Sequence, residues 1–152
     1  FKPYIVAALL LIAGFHLLYP LRHHLFEGSV AWTEEGHRFS WRMMLRWKTG
    51  YGHFVVFNPA DGSRQTVDPK DFLSKKQVRK LYGHPDMILQ FAHFLRDRWC
   101  DLGIEEVQVY ANIKTQLNGR PHQPYIDPET DLAATEWSHW KSSPRIIPLK
   151  VP

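Results

Sequence analysis

The hydrophobic pattern divides the chain into an apolar start and a longer amphipathic part. Residues 4–19 (YIVAALLLIAGFHLLY) contain no formally charged side chain and lie between Pro3 and Pro20. A helix of this length rises about 24 Å, somewhat less than the hydrocarbon thickness of a bilayer. The run predicts either a membrane-spanning helix or an apolar core helix, and we favour the membrane helix. Residues 21–28 (LRHHLFEG) are typical of an interfacial collar, in which Leu25 and Phe26 would lie in the lipid boundary.

From Ser40 onward the period of the pattern changes. Trp41, Met43, Leu45 and Trp47 alternate with Arg42, Met44, Arg46 and Lys48, a period of two that predicts a half-buried strand. Residues 49–52 (TGYG) break the alternation, and residues 53–57 (HFVVF) predict a second strand. The sequence NPADG at 58–62 is a strong turn signal, and residues 64–68 then complete a short hairpin or meander.

A two-helix insertion is predicted next. Ser74 and Gln77 form a capping-box pattern that opens a short helix ending at Gly83. A longer helix begins at Pro85, and Cys100 inside it is expected to be a buried small hydrophobic residue rather than a nucleophile. Its apolar side chains recur every three or four positions, as expected for a stripe that faces a core: Ile88, Phe91, Ala92, Leu95, Trp99 and Leu102.

The clearest strand covers residues 107–117, where apolar and polar side chains alternate strictly. Asn118-Gly119 predicts a tight hairpin turn, after which residues 120–126 return antiparallel. Two prolines in that segment confine it to the edge of a sheet. The expected fold is therefore a membrane-anchored α+β protein: a transmembrane helix and collar at 1–26, then an antiparallel β-rich domain at 27–152 with a two-helix insertion.

Composition narrows the possible functions without selecting one. The chain has 152 residues, enough for one compact domain. Its net charge of +4 is small and dispersed, so we expect no nucleic-acid partner. A single cysteine excludes an intrachain disulfide framework and a multi-cysteine zinc site. The nine histidines have no ligand spacing, so we expect no metal site, and the motifs GxSxG, GxxxxGK and GxGxxG are absent from the sequence.

The most unusual stretch is residues 32–48 (WTEEGHRFSWRMMLRWK), which combines tryptophans, methionines and basic side chains directly after the collar. One interpretation is a strand with an aromatic inner face and a basic outer face, and the pattern alone favours it. The other is an aromatic-walled pocket at the membrane surface, in which Arg42, Arg46 or His37 would bind an anionic group such as a carboxylate.

Several motifs, in order, resemble the vitamin K-dependent gamma-glutamyl carboxylases and their bacterial relatives. Residues 32–44, with Trp32-Thr33, Gly36, Phe39-Ser40-Trp41 and Met43-Met44, are similar to the segment that follows the membrane bundle in that family. The resemblance covers nearly the whole chain and is closest to bacterial members, which read Gly-His-Arg-Phe, here residues 36–39. The other matching motifs are Pro20-Leu21-Arg22-His23, Pro85-Asp86-Met87, Gln90-Phe91-Ala92, Asn118-Gly119-Arg120, Ile126-Asp127-Pro128 and Asp131-Leu132-Ala133.

The resemblance implies that the chain is the C-terminal part of a multi-helix membrane protein. In the family, a lysine base deprotonates vitamin K hydroquinone, oxygenation yields an alkoxide that removes a glutamate γ-proton, and the carbanion captures carbon dioxide. That lysine belongs to the upstream membrane bundle. We therefore expect no catalytic residue and no cofactor in this chain, and a vitamin K-type hydroquinone in the full-length protein.

The resemblance also implies a substrate-binding set: His37, Ser40, Trp41 and Arg46. Ser40 and Trp41 match the family's Ser-Trp pair, whereas His37 stands where animal enzymes have Tyr and Arg46 where they have His. Arg46 could pair with a substrate carboxylate. Because side chains alternate along a strand, a bend or bulge between Phe39 and Trp41 is required if all four are to line one pocket.

Two functional hypotheses follow. The first is the substrate-binding part of a carboxylase-like lyase that is inactive as this chain alone; the second is a non-catalytic, membrane-anchored accessory or structural subunit of a larger membrane complex. The expected partners are membrane lipid, other transmembrane helices or subunits, and a Glu-containing peptide. The expected location is the membrane, with the β-rich domain on the extracytoplasmic side.

Overall fold

The computed structural model describes residues 2–42, 45–104, 106–138 and 140–150. Within these ranges, the helices and strands follow one another in the order α1-α2-β1-β2-α3-α4-β3-β4. The helices are α1 (Pro3–Leu18), α2 (Val30–Thr33), α3 (Lys75–Leu81) and α4 (Pro85–Asp101), and the strands are β1 (Lys48–Phe57), β2 (Arg64–Val67), β3 (Gln108–Leu117) and β4 (Gln123–Pro124).

The four strands form one antiparallel sheet in the order β2-β1-β3-β4. The central pair, β1 and β3, is matched over the full length of both strands, from Lys48 opposite Leu117 to Phe57 opposite Gln108. Helices α3 and α4 lie between β2 and β3 in the sequence, so the α+β fold with a two-helix insertion is confirmed.

Helix α4 packs its apolar stripe against the sheet, as its sequence predicts. Ile88, Ala92 and Leu95 are fully buried, and the Phe91 ring meets the Phe54 ring of β1 at 4.9 Å between centroids. Two expectations for the end of this helix are wrong. Leu102 is 71% exposed because the helix ends at Asp101, before its next turn could return to the core. Cys100 is exposed because it follows buried Trp99 directly and points away from the stripe.

Helix α1 buries none of its side chains against the rest of the protein. It continues into a 3₁₀ segment, Tyr19–Leu25, and the combined stretch Pro3–Leu25 is long and apolar enough to cross a membrane by length and composition. The predicted collar is partly wrong. Leu25 is 68% exposed, but Phe26 is buried because its ring lies against Gly36 of the domain.

The predicted strand at 40–48 is wrong for the described residues 40–42 and 45–47, and so is the break at 49–52. Strand β1 begins only at Lys48 and runs through Gly50 and Gly52 to Phe57. Trp41, Leu45 and Trp47, the supposed inner face, are each more than 60% exposed, so the alternation reflects no buried surface. Position 52 requires a glycine because β3 lies very close to it. A Cβ atom at this position would be 2.2 Å from the carbonyl oxygen of Asn112.

The predicted hairpin after β3 is confirmed, although its return strand is short. Asn118 and Gly119 have φ angles of 50° and 79°, the left-handed pair that a type I′ turn requires. Pairing of β4 is limited to Gln123 and Pro124 at the sheet edge. The segment that follows wraps the domain and makes an isolated bridge between Ile126 and Ile146.

Candidate functional site

The segment between α2 and β1 has an unusual backbone. Glu34, Phe39 and Trp41 have φ angles of 63°, 61° and 57°, in the left-handed region that side chains other than glycine rarely adopt. Each such residue costs on the order of 1–3 kcal/mol, and such residues cluster at functional sites. The bend that the predicted site requires between Phe39 and Trp41 is therefore present.

Ser40 holds this bend in place. Its side chain is buried, and its Oγ donates a hydrogen bond to the carbonyl oxygen of His37 at 2.6 Å, to which the Ser40 backbone N–H also donates at 3.2 Å. With Ser40 turned inward, its neighbours Phe39 and Trp41 are 74% and 75% exposed. We call residues 37–42 the 37–42 turn.

A pocket of about 600 Å³ lies between the 37–42 turn and the C-terminal end of α1. We call it the helix-end pocket. The turn contributes all six of its residues, and the helix end contributes Phe15, His16, Tyr19 and Pro20. His37 and Ser40 therefore both reach a cavity bordered by α1, as the sequence analysis requires.

The ring of Tyr19 joins the turn to the helix. It stacks on Phe15 at 4.8 Å and meets the edges of Phe39 at 5.9 Å and Trp140 at 6.4 Å. The Arg22 guanidinium lies 4.3 Å from the centre of the Tyr19 ring, donates to the Tyr19 hydroxyl, and donates to the carbonyl oxygen of Arg38 at 3.1 Å. These contacts fix one wall of the helix-end pocket.

A second pocket, of about 300 Å³, lies on the other side of the turn, and half of its lining residues are charged. We call it the charged pocket. It shares His37 and Arg38 with the helix-end pocket, and Arg38 makes an ion pair with Asp86 of α4. Arg46 and Glu34 line the charged pocket and pair with each other.

The Glu34 carboxylate forms ion pairs with two basic side chains. One carboxylate oxygen accepts from Arg46, and the other accepts from Lys48 Nζ at 2.8 Å. The side chains of Glu34 and Lys48 are 6% and 4% exposed, and Arg46 is 21% exposed. Lys48 Nζ also lies 2.9 Å from the Tyr125 hydroxyl and contacts the carbonyl oxygen of Trp32. We call Glu34, Arg46 and Lys48 the Glu34 cluster.

Burial controls protonation in and around this cluster. It lowers the pKa of Lys48 to about 8, against the opposing effect of the Glu34 carboxylate. Burial, followed by the positive charge of Arg46, lowers the pKa of His37, which favours a neutral imidazole at neutral pH. Burial raises the pKa of Tyr125 well above its usual range. At pH 7 the Glu34 cluster therefore has two positive charges and one negative charge.

The structure divides the four predicted substrate-binding residues between the two pockets. His37, Ser40 and Trp41 line the helix-end pocket, Arg46 lines the charged pocket, and His37 borders both. Their role in substrate binding stays a prediction. Met43 and Met44, part of the matched motif, lie outside the described residues.

Sequence reasoning missed Glu34, Lys48 and Tyr125. The alternating pattern puts Lys48 on the polar face of a strand that does not form, and Tyr125 is 77 positions away from it. No periodic pattern marks such a contact, and the weak signal in the sequence is the acidic pair Glu34-Glu35 shortly after Trp32. In the described ranges, no three His, Cys, Asp or Glu side chains converge to hold a metal ion.

Comparison with known proteins identifies the family. No solved protein structure matches this chain. A family model described as "Vitamin K-dependent gamma-carboxylase, lumenal domain" matches residues 1–151. Together with the apolar helix α1, this match indicates a membrane protein with a lumenal domain. The chain belongs to the vitamin K-dependent gamma-carboxylase lumenal-domain family.

Proposed function

We propose that this chain is the glutamate-binding part of a gamma-carboxylase-type membrane protein, whose catalytic base is supplied from outside residues 1–152. The observation that carries this proposal is the position of His37 and Arg38 between an apolar pocket at the end of α1 and a charged pocket in the domain. A glutamate side chain needs a cationic partner for its carboxylate and an apolar boundary near its γ-carbon. The two pockets provide these environments on either side of one turn.

In this proposal Arg46 binds the substrate carboxylate. Its Nε is buried without a hydrogen-bond partner in the described part of the chain, so Arg46 keeps a donor that Glu34 does not use. An arginine–carboxylate pair is strong and directional, and the second cation of the Glu34 cluster keeps the region positive overall. Neutral His37 adds hydrogen-bonding capacity at the boundary without competing for the negative charge.

The helix-end pocket serves the apolar side of the same reaction. Phe15, Tyr19, Phe39 and Trp41 supply aromatic walls, and about 600 Å³ is within the range of small-molecule sites. A vitamin K-type hydroquinone, when bound in the full-length protein, supplies the strong base. The residues of this chain bind the glutamate carboxylate, orient the γ-carbon and keep water from the apolar side.

Peptide binding by the chain in lipid nanodiscs tests the proposal. A peptide that contains glutamate should bind more tightly than the same peptide with glutamine, and Arg46→Gln should abolish that preference. Arg64→Gln, which changes an exposed arginine of β2, is the matched control and should leave the preference intact. Equal affinity of the wild-type chain for the two peptides would refute the proposal.

In a full-length protein that carries this chain, Trp41→Ala should raise the apparent KM for the peptide more than it alters hydroquinone oxidation. Trp47→Ala is the control, since Trp47 is 69% exposed and lines neither pocket. The opposite pattern, with hydroquinone oxidation affected more, would mean that the 37–42 turn serves the quinone instead.

The second candidate is a membrane-anchored accessory subunit without catalytic function. The ion pairs within the Glu34 cluster favour it, because Glu34 already neutralises one of the two cations. This candidate predicts that Arg46→Gln destabilises the domain and changes no peptide affinity, so the same binding series separates the two functions.

A further inference from the structure

We propose that Lys48 is a positioning residue for carboxylate binding: by neutralising Glu34, it leaves Arg46 available to an incoming carboxylate. This inference rests on the proposed function and adds a residue and a form of regulation to it. Lys48 does not line the charged pocket, so it acts through Glu34 and does not contact the ligand.

The first observation that supports this role is the geometry of Glu34. Its two carboxylate oxygens have separate partners, Arg46 on one and Lys48 on the other. If Lys48 were uncharged, Glu34 would pair with Arg46 alone, and the charges of these two side chains would cancel. The charge on Lys48 therefore sets how much of the Arg46 charge is left to attract an anion.

The second observation is the set of oxygen atoms that surround Lys48 Nζ. Its Nζ is held within 3.3 Å of the Gly83 carbonyl oxygen and 2.9 Å of the Tyr125 hydroxyl, in addition to its contacts with Glu34 and the Trp32 carbonyl. These fixed oxygen atoms prevent Nζ from turning into the charged pocket. They also fix the position of Glu34, and through it the orientation of Arg46.

Protonation of Lys48 can change near neutral pH, since burial lowers its pKa to about 8. The titratable or charged side chains that face the cluster are Glu34, Glu35, His37, Arg46, His84, Asp86 and Tyr125. Because its pKa is about 8, Lys48 loses its positive charge between pH 7 and 9.5. His37 is already neutral, and the pKa of Tyr125 is raised out of this range. Carboxylate affinity should therefore fall as pH rises through about 8.

The test is a pH series of carboxylate binding to the full chain in nanodiscs, from about pH 7 to about pH 9.5, on either side of the Lys48 pKa. The probes are acetate, followed by NMR titration, and the glutamate and glutamine peptides. Affinity of the wild-type chain for acetate and for the glutamate peptide should fall about tenfold across the series. Lys48→Met should bind as weakly at the low end as the wild type does at the high end.

Lys48→Arg separates the proposed role from a merely structural one. Arginine keeps the positive charge and does not titrate in this range, so affinity should stay high and independent of pH. Lys76→Met, a change to an exposed lysine of α3 that lines neither pocket, should keep the wild-type profile. If Lys48→Met does not fold, the wild-type and Lys48→Arg profiles still decide the question.

The outcomes distinguish the inference from the proposed function. A flat wild-type profile, or a pH dependence that persists in Lys48→Arg, overturns the role of Lys48. A Lys48-dependent profile for acetate, with equal binding of the two peptides, supports the role of Lys48 and overturns glutamate recognition. Failure of both acetate and the peptides to bind at every pH overturns both.

Discussion

The sheet with α4 and the segment that precedes β1 are stabilised in different ways. Between the sheet and α4, most of the buried side chains are apolar, and Phe54, Ile88 and Leu95 are fully inaccessible to solvent. In the segment before β1, several of the buried groups are polar or charged, including Glu35 and Ser40. Most of these polar groups have a specific hydrogen-bond partner, often from a distant part of the chain.

This difference explains why the two regions suit different tasks. Apolar burial is non-directional and stabilises the fold roughly in proportion to the area removed from water. Buried hydrogen bonds and ion pairs contribute little net stability but are costly to break, and they fix donors and acceptors in direction. The first region supplies a stable support, and the second holds charged groups in a chosen arrangement.

The largest expected effect is in the apolar region. Phe91→Ala should lower the free energy of unfolding by about 3–5 kcal/mol, because it removes a buried ring that packs on Phe54 and leaves a cavity. Chemical denaturation measures it. Phe94→Ala, at a ring that is 44% exposed, is the control and should cost less than half as much. Equal effects would mean that α4 does not bury its stripe in solution.

A comparable test of the polar region removes the shared carboxylate. Glu34→Gln should cost about 3 kcal/mol, because it leaves buried Lys48 without its charged partner. The double variant Glu34→Gln with Lys48→Met should recover part of that loss, since no unpaired ammonium is left buried. Thermal denaturation of the two single variants and the double variant gives the coupling energy. Strictly additive losses would contradict the pairing.

Within the sheet, Gly52 is a position where a single added methyl group should lower stability. Gly52→Ala should cost about 2 kcal/mol, because the added Cβ would meet the Asn112 carbonyl oxygen of the neighbouring strand and force β1 and β3 apart. Gly14→Ala is the matched control: a Cβ at that position would have no atom within 4 Å, so stability should not fall. The denaturant midpoints of both variants measure this difference. If Gly52→Ala leaves the midpoint unchanged, β1 and β3 can move apart without loss of stability.

Stability should also depend on pH through Lys48. Its pKa is lowered from 10.5 to about 8 in the folded protein, so between these values the unfolded chain binds more protons than the folded one. Stability therefore rises with pH in this window, by about 1–2 kcal/mol from pH 8 to 9.5. Denaturation at several pH values measures the slope. Lys48→Met should remove it, and a slope that survives would assign it to another group.

The smallest of these effects is expected at the hairpin turn. Gly119→Val should cost about 1 kcal/mol, because a β-branched residue adopts the observed φ of 79° only with strain. Gly119→Asn is the milder companion change, since asparagine tolerates left-handed geometry. Differential scanning calorimetry should rank wild type, Asn and Val in that order, and identical melting temperatures would argue against the tight turn.

Much of the sheet and of α4 could be predicted from sequence because their burial is periodic. Ile88, Leu95 and the alternating residues of β3 carry that signal in their spacing, and Asn118-Gly119 marks the turn by residue type. In the segment before β1, Trp41, Leu45 and Trp47 have the spacing of a buried strand face but are exposed. The shape of this segment depends on left-handed Phe39 and Trp41, which no residue preference indicates.

The candidate site was predictable only in part, for a related reason. Resemblance to a family supplied His37, Ser40, Trp41 and Arg46, but it did not supply the partners that fix their positions. Glu34 reaches Arg46 across 12 positions, and Lys48 reaches Tyr125 across 77. Contacts of this kind depend on the completed tertiary fold, and neither composition nor local spacing encodes them.

Because Lys48 pairs with Leu117 in the sheet, a buried lysine beside Glu34 is present only when β1 and β3 have the correct register. Successive side chains of a strand point to opposite faces, so a one-residue slip of β1 against β3 would place Lys48 on the outer face and bring a neutral neighbour inward. The hairpin turn opposes that slip, because the Asn118 side chain holds the Trp47 N–H at 2.6 Å and the Leu45 carbonyl oxygen at 3.2 Å. A misregistered domain would retain a sheet but have no buried lysine beside Glu34. Loss of the Lys48 titration would then report a folding error that circular dichroism cannot detect.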